Sequence, residues 1–267
     1  METVTSADGT AIAFEKSGKG PPLVLVHGTS ASSARWGNFR PLLEDHFTVV
    51  VMDRRGRGQS GDIAPGSHYA LEREYEDVAA VIEACGEPVI LFGHSYGGLA
   101  SLGAATLTDR LAALVIYEAP VLEGNGIPPE LLARFDAAVA AGDRDAVMKM
   151  FCEEVVRMRP SEIAALRASP AWPARLAAAH TIPRELRAAG DFPLAAAQAE
   201  RISVPTLLLH GGDSPDFFKA PMARLAGAIQ GAKPVALEGQ QHVAMDTAPD
   251  LLAEIVVTFR ETVSDGA

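Results

Sequence analysis

The chain has 267 residues, 48% apolar and 21% charged, with 24 glycines, 18 prolines and 2 cysteines. That balance excludes disordered, collagen-like and coiled-coil chains, and a chain of this length can bury well over half its surface without disulfides or metals. A net charge of −11 argues against a nucleic-acid footprint and favours a soluble enzyme.

Residues 1–9 contain neither a basic stretch nor an apolar run, so no secretory leader is expected. Cys85 and Cys152 form no disulfide framework and no zinc-ligand spacing, which suits a reducing, cytoplasmic setting. No apolar run is long enough to predict a membrane span. Val4 and residues 12–15, on either side of Asp8-Gly9, predict a hairpin at one sheet edge. From residue 23 onward, short apolar runs stop at turn residues. They cover 23–26 before His27-Gly28, 48–52 before Asp53, 88–92 before Gly93, 114–117 before Glu118, and 206–209 before His210-Gly211-Gly212. A last run covers 234–237. Helix-like spacing over 75–84, 97–108, 221–229 and 249–260 separates them. Runs apolar on both faces, alternating with helices, predict a mostly parallel sheet with right-handed crossovers.

Residues 121–200 break that rhythm. They are rich in Ala, Arg and Glu and carry prolines at 128, 129, 160, 170, 173, 183 and 193, which predicts short helices joined by proline turns. The expected organisation is a core over 1–120 and 201–267 with a helical cap over 121–200. The tail from Ser264 to Ala267 is expected to fray.

Ligands of such sheets bind beyond the carboxyl ends of the strands. There, Gly93-His94-Ser95-Tyr96-Gly97 places a serine between a predicted strand and a predicted helix, the context a nucleophile elbow requires. A serine hydroxyl needs a base near neutral pH. His242 follows the last predicted strand and can fold back over the strand ends. His27, His94 and His210 are read as packing or turn residues, His46 and His68 as solvated, and His180 as a cap residue. Two carboxylates compete to orient the base. Glu118 ends the strand over 114–117, where an ionisable group is costly without a partner. Asp213 follows the strand over 206–209, one residue short of a Gly-x-x-Asp register that falls on Ser214; Asp216 is a weaker third choice. Glu118 is preferred. The arginines and glycines of residues 53–60 match neither a P-loop nor a dinucleotide fingerprint.

His27-Gly28-Thr29, the 53–60 loop, Gly93-His94-Ser95-Tyr96-Gly97-Gly98 and His242 together resemble the α/β-hydrolase superfamily over essentially the whole chain. The closest resemblance is to its cap-bearing esterase, lactonase and cofactor-free haloperoxidase-like members. The resemblance implies an α/β-hydrolase fold, a structural role for the 53–60 loop, and an oxyanion hole from the backbone N–H groups of Thr29 and Tyr96. It further implies cleavage of a small-molecule ester or lactone through an acyl-enzyme, with no metal and no organic cofactor. Alternatives are a cofactor-free perhydrolase, a non-hydrolytic or carbon–carbon-cleaving enzyme, and a binding-only protein. Met148, Met150, Phe151, Met158, Trp172, Phe217 and Phe218 either line an apolar pocket or form the inner face of the cap. No nucleic-acid or membrane partner is expected, and the oligomeric state is not encoded in any recognisable pattern.

Overall fold

Runs of Val, Leu and Ile, each halted by a glycine or a polar residue, form a single eight-stranded sheet in the computed structural model, which describes residues 1–64, 67–121, 126–190 and 199–264. The strands are β1 (Glu2–Thr5), β2 (Ala11–Gly18), β3 (Pro22–Val26), β4 (Thr48–Met52), β5 (Val89–His94), β6 (Leu111–Tyr117), β7 (Thr206–Gly211) and β8 (Lys233–Leu237). Their order across the sheet is β1-β2-β4-β3-β5-β6-β7-β8. The β1–β2 hairpin forms at the edge with Val4 opposite Ile12, and β2 runs antiparallel to β4. All other neighbours are parallel. The chain steps from β3 outward to β4 and returns to place β5 on the other side of β3, so the strand order reverses between β3 and β5.

Side chains alternate between the two faces with the period of a strand. Val24, Val26, Val50 and Leu91 face one layer, together with α1 (Leu71–Glu83), α2 (Tyr96–Ala104) and α8 (Asp216–Ala228). Leu23, Leu25, Val51 and Phe92 face the other, against Trp36, Phe39 and the last helix, α10 (Pro249–Ser264). Trp36 meets Phe92 edge-on at 5.6 Å between ring centres. Each such fully buried side chain contributes roughly 1.5–3 kcal/mol. All nine residues of α2 are buried, which is why it contains three glycines and two alanines and no charge. Gly103 is one of them: a Cβ there would lie 2.3 Å from the ring of Tyr75 on α1.

Between β6 and β7 the described residues form no strand. They form α3 (Pro129–Ala140), α4 (Arg144–Met150), a π turn over Phe151–Val155, α5 (Pro160–Ala168), α6 (Trp172–Ala178), a 3₁₀ turn over Ala179–Thr181, and α7 (Ile182–Gly190). The prolines open helices here: Pro129 and Pro160 take the first position, and Pro173 sits in the first turn of α6, where the missing N–H leaves no bond unmade. Asp143 caps α4 by accepting the Ala146 N–H at 2.9 Å. This helical segment has its own small core of Phe135, Val147, Met148, Met150 and Ile182. Parts of the expected cap (122–125 and 191–198, with Pro193) and the tail from 265 lie outside the described residues.

Candidate active site

The turn from β5 into α2 is as tight as the chain allows. Ser95 carries it at φ 55° and ψ −126°, a region sparsely populated by side-chain-bearing residues. Glycine is imposed around it by contact. A Cβ on Gly93 would lie 2.5 Å from Ser101 Oγ, and one on Gly97 would lie 2.3 Å from the Val26 carbonyl oxygen. Gly28, on the loop after β3, faces the serine itself: its Cβ would lie 2.8 Å from Ser95 Cβ. The strand-order reversal therefore brings the Thr29 loop and Ser95 to one place.

His242 lies on the loop between β8 and the short helix α9 (Ala244–Thr247), held on several sides. The Nε2–H of His94 donates to the His242 carbonyl at 2.8 Å. The Tyr117 hydroxyl donates to the Gln241 carbonyl and accepts the Ala244 N–H at 3.3 Å. Phe218 stacks on the imidazole at 4.1 Å with the rings 12° apart. Gly211 permits the loop to cross the end of β7, since a Cβ there would lie 2.4 Å from the Gln240 carbonyl oxygen. Burial, followed by the nearby His242, holds the His94 pKa well below the usual histidine range, so its ring is a neutral Nε2–H donor.

The two candidate carboxylates part company here. Glu118 is fully buried at φ 48°; its Oε1 accepts the Gly211 N–H at 2.7 Å and its Oε2 accepts the Nδ1–H of His242 at 2.6 Å. Asp213 is exposed in the turn after β7, its backbone N–H bonded to the Gln240 carbonyl at 3.0 Å, and Asp216 is exposed at the start of α8. Ser214, the residue in the Gly-x-x-Asp register, is buried.

Ser95, His94 and His242 open on a cavity of about 670 Å³ that is walled on the far side by the helical segment. Phe151, Met158 and Leu166 make that wall mainly apolar, and Phe218 faces the cavity from the His242 side. Met148 and Met150 instead pack inside the segment, and Trp172 lies against its core with Arg167 over its ring at 5.0 Å. Thr29 lines the cavity and is followed by Ser30 at φ 57°. Tyr96 turns its side chain away, to the Tyr69 hydroxyl at 2.9 Å and under the Arg54 guanidinium at 4.5 Å. Cys152 also lines the cavity, but burial pushes its thiol up to about 11, so it is no thiolate at neutral pH.

The 53–60 loop is committed to internal bonds. Arg54 pairs with Glu74 at 2.8 Å and Glu185 at 2.7 Å, Arg55 with Asp77 at 2.7 Å, and Arg57 with Glu185, so none of the three offers a free fork to a phosphate. Asp53 takes the N–H groups of Ser33 and Gln59 at 2.8 and 3.0 Å. His27 Nε2 accepts the Arg54 N–H at 3.2 Å, and burial followed by Arg54 keeps this ring neutral. His46, His68 and His180 are exposed, and the ring of His210 bonds the Gly211 carbonyl at 3.1 Å. Among the described residues no group of His, Cys, Asp and Glu could hold a metal ion, and no helix is long and apolar enough to cross a membrane.

The antiparallel start, the parallel sheet reversing at β3 and β5, and the serine at the strained β5–α2 turn define the α/β-hydrolase architecture. Residues 23–255 match the model of the alpha/beta hydrolase family. The chain belongs to that family. A crystal structure of an alpha/beta hydrolase from Sphaerobacter thermophilus superposes with a TM-score of 0.85 at 42% identity, covering 97% of this chain and 99% of that one. The pimeloyl-[acyl-carrier protein] methyl ester esterase of Aeromonas hydrophila is 30% identical over 261 residues, 93% of this chain and 99% of that protein. The esterase RhEst1 from a Rhodococcus species is 26% identical with a TM-score of 0.76, covering 98% of both chains.

Proposed function

We propose that this protein is a serine esterase that cleaves a small carboxylic ester or lactone through an acyl-enzyme, with the helical segment over 121–200 serving as the cap of its pocket. Ser95 Oγ attacks the carbonyl carbon while His242 Nε2 takes its proton, and Glu118 stabilises the imidazolium that results. The backbone N–H groups of Thr29 and Tyr96 hold the tetrahedral oxyanion. His242 then returns the proton to the departing alcohol, and a water activated by the same ring releases the acid. Neither a metal nor an organic cofactor enters this scheme.

The observation that carries the proposal is the 2.6 Å bond from the buried Glu118 to Nδ1 of His242, which lines the same cavity as Ser95. A donor bond from Nδ1 leaves Nε2 as the basic nitrogen. The exposed position of Asp213 favours Glu118 as the acid. The similarity to two esterases over nearly the full chain supports an ester substrate. Serine at the nucleophile position favours acyl transfer over the carbon–halogen and epoxide chemistry that aspartate nucleophiles perform on this fold.

The test is turnover of p-nitrophenyl acetate and of longer acyl esters by wild type and Ser95→Ala. Turnover that disappears in the variant, down by about 10⁵-fold or more in kcat, is the expected result. A folded wild type inert on every ester, or a Ser95→Ala protein as active as wild type, would refute the proposal.

A further inference from the structure

Arg54, Arg57 and Arg184 all lie at the join between the sheet and the helical segment, and each has a carboxylate partner. Arg175, on α6 in the same region, has none among the described residues. Its Nη1 donates to the Ser30 carbonyl and to Ser30 Oγ, both at 3.2 Å, and its Nε is buried without a partner. It lines the cavity that contains Ser95. Asp246 attracts it, but that carboxylate is already bonded to Arg35 at 2.5 Å, and Arg35 repels it. Burial, with Arg35 second, draws the Arg175 pKa down to about 10, which still leaves the guanidinium charged at neutral pH. Among the described residues the other cation on the cavity with no carboxylate partner, Arg157, is exposed and lies over the Phe217 ring at 5.4 Å.

A half-buried guanidinium on a cavity whose wall also carries Phe151, Met158 and Leu166 is costly unless an anion completes it, and no carboxylate of the described residues bonds it. We propose that a carboxylate on the substrate does so, and that Arg175 selects esters or lactones bearing a second, ionised carboxyl group. Guanidinium and carboxylate match as a planar, two-bond pair. Because Ser30 directly follows Thr29, the anion is held close to the reacting carbonyl, which calls for a short spacer such as that of a half-ester of a small dicarboxylic acid. The proposal rests on the acyl-transfer reading of Ser95 and adds the substrate class to it.

The test compares monomethyl glutarate with its neutral isostere, methyl 4-carbamoylbutanoate, for wild type, Arg175→Met and Arg175→Lys. Wild type is expected to favour the carboxylate by at least about tenfold in kcat/KM, a preference that falls to within about twofold of unity in Arg175→Met and survives in part in Arg175→Lys. The readout is the ratio, because an arginine that only props the Ser30 loop would, once removed, lower both esters alike. A wild-type ratio near one, or a ratio unchanged in Arg175→Met, overturns the proposal. If Arg175→Met does not fold, the wild-type ratio and Arg175→Lys still decide. Calorimetric binding of monomethyl glutarate to Ser95→Ala, with and without Arg175→Met, separates the two readings. Binding that depends on Arg175, with no turnover by wild type, keeps the anion site and refutes acyl transfer. Equal turnover of both esters keeps acyl transfer and refutes the anion site.

Discussion

Glu118 combines three costs that are seldom found together: a charge, complete burial and a positive φ. Each is offset by a specific partner. Gly211 N–H and His242 Nδ1–H satisfy one carboxylate oxygen each, and the Glu118 N–H reaches the Leu209 carbonyl at 3.1 Å, fixing the twisted backbone to β7. Glu118→Gln keeps the shape but replaces the charge behind the imidazole, and is expected to lower kcat by about 10³–10⁴-fold; Asp213→Ala should stay within about threefold of wild type. Ester turnover by the two variants checks both, and the reverse ranking would make Asp213 the acid. The sequence preferred Glu118 but kept Asp213 as a rival, because each follows an apolar strand and the two strands, β6 and β7, are neighbours. The tight turn at Ser95 was legible because its signal is local, a serine boxed by glycines. Tyr117 and Phe218, which hold the His242 loop, were not recognised in those roles, since each side chain reaches residues far along the chain.

At the scale of elements, the loop after β4 is the joint between sheet and helical segment. Arg54 and Arg57 both grip Glu185 on α7, and Arg57 also reaches Thr181 at 2.7 Å. Glu185→Ala leaves two buried guanidinium groups short of a partner and is expected to cost about 3–5 kcal/mol in urea-induced unfolding. Gly58 works differently: at φ 53° a Cβ would lie 1.9 Å from Asp53 Oδ2. Gly58→Ala therefore has to push aside the carboxylate that organises the loop, and a lowered unfolding midpoint is the expected outcome. The strands and their parallel order were legible from short apolar runs, as were the proline-opened helices. The partners of the arginines were not: Glu185 lies 131 residues from Arg54, and no periodicity links them.

For the whole molecule, the buried charges and neutral histidines set the response to acid. His27 and His94 are held neutral in the fold, whereas in the unfolded chain each takes up a proton below about pH 6.5. Their contribution is complete above that pH and is lost as the pH falls. Asp77 opposes them: burial pushes its pKa up to about 6, so the folded state takes up a proton first. Two groups against one leave a net loss of stability between pH 7 and pH 5. Glu74 adds to the loss at lower pH. Burial raises its pKa, but Arg54 outweighs this and leaves it at about 2, so its contribution disappears between about pH 4.5 and 2. Urea unfolding across that range checks the sign, and stability that rose from pH 7 to pH 5 would contradict it.

The bond between Glu118 and His242 closes a span of 124 residues. During synthesis at roughly 5–20 residues per second, about 6–25 seconds separate the two partners. Until β7 emerges, β6 is the open margin of a growing sheet whose inner strands β3, β4 and β5 are apolar. The carboxylate at its tip then has water for company instead of imidazole, and a hydrated charge at an unpaired margin discourages a neighbouring nascent chain from adding a strand. One residue thus guards the edge of the unfinished protein before it takes its buried place in the finished one.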